Sequence, residues 1–175
     1  MSLTKEDKAL LDTIAYCEGT LGVSNNGYDV TVGYGIIAGW TVDTNIVHGG
    51  RDWYDKATNS TAAGRYQFTY DTWIGSKKNN VPMSKQNQDE KGIVLVNGRL
   101  GNIKKTDLVN FNVFKQALNK LCTIWASIPV TSEIKDSSGK IHPAGKSYYA
   151  GDGVNTTKYT AEKIFEVYKL ALSKY

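Results

Sequence analysis

The sequence predicts an α+β chain, mostly helical, with a small β-hairpin region near the N-terminus. Apolar residues recur at helical spacing near both ends and in the middle of the chain, whereas one short stretch, Tyr28 to Tyr34, alternates with a period of two. Neither an internal repeat nor a low-complexity segment interrupts this pattern.

Taken in order, LTKEDKALLDTIAYCEGT reads as an amphipathic helix with Leu10, Leu11, Ile14, Ala15 and Cys17 on one face. Thr4 followed by Asp7 forms a capping box with Asp in place of Glu, so the helix is expected from about Lys5 to Cys17, with Gly19 closing it. In SNNGYDVTVGYGI, Tyr28, Val30, Val32 and Tyr34 alternate with Asp29, Thr31 and Gly33 as in a half-buried strand, after an NNG turn signal. Ala38 to Asn59 is loop-like. RYQFTYDTWI after Gly64 reads as a short helix, and Ser84 caps another, although GIVLVNG within it also suits a strand. From about Asp107 to Ala126, Phe114, Leu118, Leu121 and Trp125 mark a helix that Pro129 stops. Thr131 to Gly145 is polar and reads as a loop. Thr160 caps a last helix bearing Ile164, Phe165, Tyr168 and Leu172.

A chain of 175 residues is long enough for one compact domain over 1–175. With 41% hydrophobic and 22% charged residues it has the composition of a soluble globular protein, and monomer is the default state. The net charge of +4 favours an anionic partner such as a cell-wall polymer, a membrane surface or nucleic acid without choosing among them, and Lys77-Lys78 and Lys104-Lys105 are isolated pairs, too short to suggest a nucleic-acid-binding arm. MSLTKEDK has no apolar signal core and no window is long and apolar enough to span a membrane, so synthesis in the cytoplasm without a Sec-type signal and no stable membrane association are expected. Cys17 and Cys122 lie on apolar helix faces and read as buried thiols. His48 and His142 are too far apart for a metal site, and no cofactor is expected.

The residue that departs from its surroundings is Glu18. It falls in the apolar arc of the first helix, at the helix's negative end, one position before Gly19. Burial and the helix terminus both disfavour the ionised form, and a carboxylic acid that keeps its proton near neutrality suits a general acid acting on a glycosidic oxygen. Alternatively, the side chain turns to solvent or pairs with a lysine or arginine. A two-carboxylate glycosidase needs a second acid within about 5–9.5 Å. Asp29, Asp43, Asp52 and Asp55 are the nearest in the chain, yet none stands in a motif that demands catalysis. GYGIIAG and GDG lack the context of a phosphate loop, and nothing suggests a base to activate Cys17.

The segments LLDTIAYCEGT, NNGYDVTVG, STAAGRYQF, the NQD of SKQNQDE, and IWASIP come in the same order and at similar spacings as in the bacteriophage lambda endolysin family, the lambda-lysozyme type of lytic transglycosylase. The chain resembles that family from about Ala9 to Pro129. The resemblance implies a lysozyme-like α+β fold that cleaves the β-1,4 bond between N-acetylmuramic acid and N-acetylglucosamine in peptidoglycan glycan strands. It implies Glu18 as the single acid/base, with the muramoyl C6 hydroxyl as nucleophile and a 1,6-anhydromuramoyl product. By the same resemblance Tyr66 and Gln67 would line the cleft near the scissile bond with Ser60 beside them, Ser127 would face sugar, and Tyr148, with Tyr149 as rival, would contact substrate. It further implies storage in a host cytoplasm and holin-type release to the cell wall. The chain departs from the pattern in a longer segment between Pro129 and Tyr148, in the Gly39–Asn59 loop, and in a final helix without a matching motif. Two other readings remain: a hydrolytic muramidase using Asp29, Asp43 or Asp52, and a non-catalytic peptidoglycan-binding or phage-tail module.

Overall fold

The computed structural model describes residues 2–151 and 157–175. Its helices are α1 (Lys5–Glu18), α2 (Tyr70–Ile74), α3 (Lys85–Leu100), α4 (Phe111–Leu121) and α5 (Ala161–Leu172), and a two-stranded antiparallel sheet pairs β1 (Ile134–Lys135) with β2 (Ile141–His142). The fold is α+β and mostly helical. Packing gathers in two compact units: Met1–Cys17 with Leu95–Tyr175, and Glu18–Val94.

In the first unit, α1 begins as its sequence dictates. The Thr4 amide donates to Asp7 Oδ2 at 3.0 Å, and the Asp7 amide donates to Thr4 Oγ1 at 3.1 Å, so the capping box closes in both directions. Asp7 also pairs with Lys105. Leu10, Leu11, Ile14, Ala15 and Cys17 are buried along one face. The helix expected from Asp107 is divided: a 3₁₀ turn spans Lys105–Val109, and Asn110 restarts the chain as α4, its side chain accepting from the Asn112 and Val113 amides at 2.9 and 3.3 Å. An Asn side chain that satisfies free amides in this way favours a helix start over a helix interior. Phe114 and Leu118 are buried, and the Phe165 ring of α5 meets those of Phe111 and Phe114 at 5.1 Å each. Thr160 caps α5 through the Lys163 amide at 3.3 Å.

The sheet lies within the segment that reads as a loop. Ile134 pairs with His142 and Lys135 with Ile141, so the only named strands among the described residues are far from the N-terminus. In the second unit the expected Tyr28–Tyr34 strand is replaced by isolated bridges, Val30 to Ile36 and Thr31 to Ala63, followed by a 3₁₀ turn at Val32–Tyr34. Gly33 and Tyr34 have φ of +77° and +64°, and two successive left-handed residues cannot continue a ladder. RYQFTYDTWI is helical only from Tyr70, because Phe68 first bridges back to Ala63. GIVLVNG is helical throughout within α3, with Ile93 and Val96 buried. Tyr28, Ile37 and Trp40 form a core cluster with Ile46 and Trp53, the Tyr28 and Trp40 rings stacked 5.9 Å apart.

Candidate active site

In the Glu18–Val94 unit, the segments that stood apart in the sequence are tied to one another by buried polar contacts. Glu18 is the last residue of α1 and is half-buried, and Gly19 closes the helix at φ +75°. A Cβ on Gly19 would lie 3.0 Å from the Tyr34 hydroxyl, so that hydroxyl sits over the residue following Glu18, on a side chain that is 57% exposed. Thr20 is buried and donates through Oγ1 to the Arg65 carbonyl at 2.5 Å, which joins the EGT segment to AGRYQ.

Arg65 is buried, bonds the Asn26 carbonyl, and lays its guanidinium 5.1 Å from the Tyr28 ring centre and 5.9 Å from that of Tyr66. Its amide donates to Gln88 Oε1 at 2.9 Å. The other end of the same side chain donates through Nε2 to the carbonyls of Tyr28 and Met83 at 2.9 and 2.8 Å. Gln88 therefore links GYDV, AGRYQ and the start of α3. Gly64 is required beside it: a Cβ there would come within 2.3 Å of Gln88 Oε1, and φ is +77°. Asp89 completes the NQD segment. Its Oδ1 accepts from the hydroxyls of Tyr28 and Tyr66 at 2.7 and 2.6 Å, and its Oδ2 accepts from Lys85 Nζ at 2.7 Å. Burial, reinforced by the Asp89 charge, raises the pKa of both phenols, so they remain protonated donors.

The residues singled out from the sequence divide between the two units. Tyr66, expected to line a cleft, is 1% exposed with its hydroxyl committed to Asp89. Gln67 is half-buried and left-handed at φ +46°, an uncommon state for a residue with a side chain that costs about 1–3 kcal/mol and collects at functional sites. Its Nε2 donates to the Gly64 carbonyl at 2.9 Å and to the Val30 carbonyl at 3.3 Å. Ser60 is half-buried, pairs with Asp55 as an isolated bridge, and accepts the Ala62 amide on Oγ at 3.1 Å. Glu18, Ser60, Tyr66 and Gln67 thus belong to one unit, and Ser127 and Tyr148 to the other.

Ser127 is half-buried in the turn after Trp125. The half-buried Tyr148 ring stacks on His142 with centres 3.9 Å apart and planes 9° from parallel, and its hydroxyl has no hydrogen-bond partner among the described residues. Tyr149, the rival, donates its hydroxyl to the Thr123 carbonyl at 2.7 Å.

The candidate second acids are used differently. Asp29 lies on the buried side and accepts from Ser24 Oγ at 2.7 Å and from the Asn25 amide and Nδ2 at 3.3 and 2.7 Å. Asp55 accepts from the Thr58 hydroxyl and amide at 2.6 and 2.8 Å, which lowers its pKa. Asp43 and Asp52 are exposed. Sequence reasoning overlooked Gln88, Asp89, Thr20 and Arg65 as structural partners. One signal was available: Gln88 and Asp89 precede Gly92 and Ile93 by one helical turn, which puts polar side chains on the buried stripe of α3.

Two solved structures share this fold. Bacteriophage lambda lysozyme complexed with a chitohexasaccharide superposes with a TM-score of 0.62 at 22% identity, covering 98% of this chain and 96% of that one. Lysozyme from bacteriophage lambda superposes with a TM-score of 0.57 at 22% identity and the same coverage. No curated protein matches the sequence. The fold is therefore that of lambda lysozyme. A family model described as Endolysin matches residues 8–156, and the chain belongs to the endolysin family, lysozyme-like enzymes of phage that degrade the bacterial cell wall.

Proposed function

We propose that this endolysin is a lytic transglycosylase that cleaves the β-1,4 bond between N-acetylmuramic acid and N-acetylglucosamine with Glu18 as its single acid/base. The observation that carries this reading is the fate of the neighbouring carboxylates. Asp29 accepts three hydrogen bonds from Ser24 and Asn25, and Asp55 accepts two from Thr58 on Oδ2, so both carboxylates already serve the turns around them. A mechanism that needs no second carboxylate fits that inventory.

In the first step the Glu18 carboxylic acid gives its proton to the glycosidic oxygen as the bond to muramoyl C1 breaks, releasing the N-acetylglucosamine hydroxyl. In the second, the C6 hydroxyl of the same muramoyl ring bonds to C1 and its proton passes to the Glu18 carboxylate, which restores the acid. The nucleophile is intramolecular, so its effective molarity substitutes for a positioned water. Gln67, Ser60, Ser127 and Tyr148 are assigned to sugar contacts, and Tyr66 acts by holding its neighbours through Asp89. The setting that accompanies this chemistry is a lysis enzyme made inside the host and delivered to the wall by holin-type release. Its substrate is the glycan strand, and it works as a monomer without a cofactor.

Exposed Asp52 lines a recess of about 600 Å³ with Thr31, Trp53, Tyr54 and Asp55, which keeps hydrolysis as the second reading. Replacing Glu18 with Gln tests the acid/base assignment. The variant is expected to release no soluble muropeptides from purified walls while still sedimenting with them. Undiminished release by Glu18→Gln would overturn the assignment, and a wild type that binds walls without cutting them would make the chain a binding module.

A further inference from the structure

We propose that the β1–β2 hairpin is a positioning device for Tyr148, with His142 as the positioning residue. The proposal rests on the reading that Tyr148 contacts the glycan. Strands of two residues are marginal by themselves, so side chains must hold the hairpin together. Asp136 does so at the turn: its Oδ1 accepts from the Ser138 amide, the Ser138 hydroxyl and the Lys140 amide at 2.9, 2.6 and 3.0 Å. Its Oδ2 faces His142 Nε2 at 2.9 Å. The Ser138 and His142 hydrogen bonds hold the Asp136 carboxyl well below the usual carboxylate range, so it stays an anionic acceptor.

His142 is 3% exposed and meets Tyr148 twice. Its Nδ1 lies 2.7 Å from the Tyr148 carbonyl oxygen, and its ring covers one face of the Tyr148 ring. Tyr149 stands edge-on to the same ring at 5.3 Å and is itself anchored on Thr123. The base of the segment is fastened to the end of IWASIP, with the Val130 amide donating to the Lys146 carbonyl at 2.8 Å and the Gly145 amide to the Val130 carbonyl at 2.7 Å. Tyr148 therefore has its backbone and one ring face fixed by a single residue, while its hydroxyl remains uncommitted among the described residues. A side chain immobilised before it meets a ligand loses less entropy on binding, which lowers KM without touching the chemical step.

Steady-state kinetics of the full chain on solubilised glycan strands, in a double-mutant cycle, tests this. His142→Ala and Tyr148→Ala are each expected to raise KM by about three- to tenfold at nearly constant kcat, and the double variant to be no worse than either single one. Asp136→Asn, which leaves His142 in place, is expected to raise KM in the same direction and provides the test if His142→Ala does not fold. An unchanged KM in the His142 or Asp136 variant, or effects of His142→Ala and Tyr148→Ala that add in full, would overturn the positioning role. An unchanged KM in Tyr148→Ala would instead remove the reading of Tyr148 on which the proposal stands.

Discussion

Replacing Asp89 with alanine would remove the acceptor shared by Tyr28, Tyr66 and Lys85. The two phenol hydroxyls donate to Oδ1 at 2.7 and 2.6 Å from buried positions. Hydrogen bonds to a charged group are worth about 1.5–3 kcal/mol each, and leaving their buried donors unpaired incurs the desolvation cost. The Lys85 pair contributes little, because half of the Lys85 side chain is exposed to solvent. Asp89→Ala should therefore cost about 3–5 kcal/mol, with Tyr28→Phe and Tyr66→Phe each costing about 1.5–3 kcal/mol. For a chain of this size, that lowers Tm by about 6–20 °C. Urea titration of the wild type and the three variants measures it, with wall-clearing activity followed in parallel on folded protein. Since Asp89 holds the AGRYQ segment through Tyr66, activity should fall even where Asp89→Ala remains folded. A cost below about 1 kcal/mol for Asp89→Ala would refute the network as the support of this unit.

Three other substitutions probe separate parts of the chain. Tyr168 carries a buried hydroxyl without a partner among the described residues, its pKa pushed up to about 12 by burial and then by Glu6, so Tyr168→Phe should stabilise by up to about 1 kcal/mol in thermal melts. Gly64→Ala must accept φ of +77° and displace Gln88, which should cost about 2–4 kcal/mol by urea titration. Burial pushes the Cys122 thiol from 9.0 up to about 11. Because its folded pKa is the higher one, its contribution is complete below the unfolded value and is lost as pH rises toward about 11. The urea midpoint should thus fall between neutral and strongly alkaline pH, and less steeply in Cys122→Ala.

Local chemistry made the helices legible. The Thr4–Asp7 box, the Thr160 cap and the Phe114–Leu118–Leu121 stripe each specify an element through neighbours within a turn or two, and each is found where its residues require it. The strand reading of Tyr28–Tyr34 failed because alternation does not reveal backbone sign: Gly33 and Tyr34 turn left-handed together. The β1–β2 hairpin was hidden for the opposite reason, since its strands are too short to show a period and depend on Asp136 reaching His142. Candidate-site residues could be named from their motifs, but burial could not be read from them. Tyr66 was expected at a sugar-facing surface and is enclosed, because its hydroxyl finds a carboxylate 23 residues away in α3. Asp29 looked solvent-facing by alternation and is turned inward by Ser24 and Asn25. The strain at Gln67 has no signature in composition at all.

The proposed chemistry is tested most directly by digesting purified peptidoglycan with the wild-type chain in heavy-oxygen water and analysing the released muropeptides by mass. A lone Glu18 working with the muramoyl C6 hydroxyl predicts 1,6-anhydromuramoyl ends, one water lighter than reducing ends and free of the oxygen label. Reducing ends that each carry one labelled oxygen would contradict it and assign the cleavage to water.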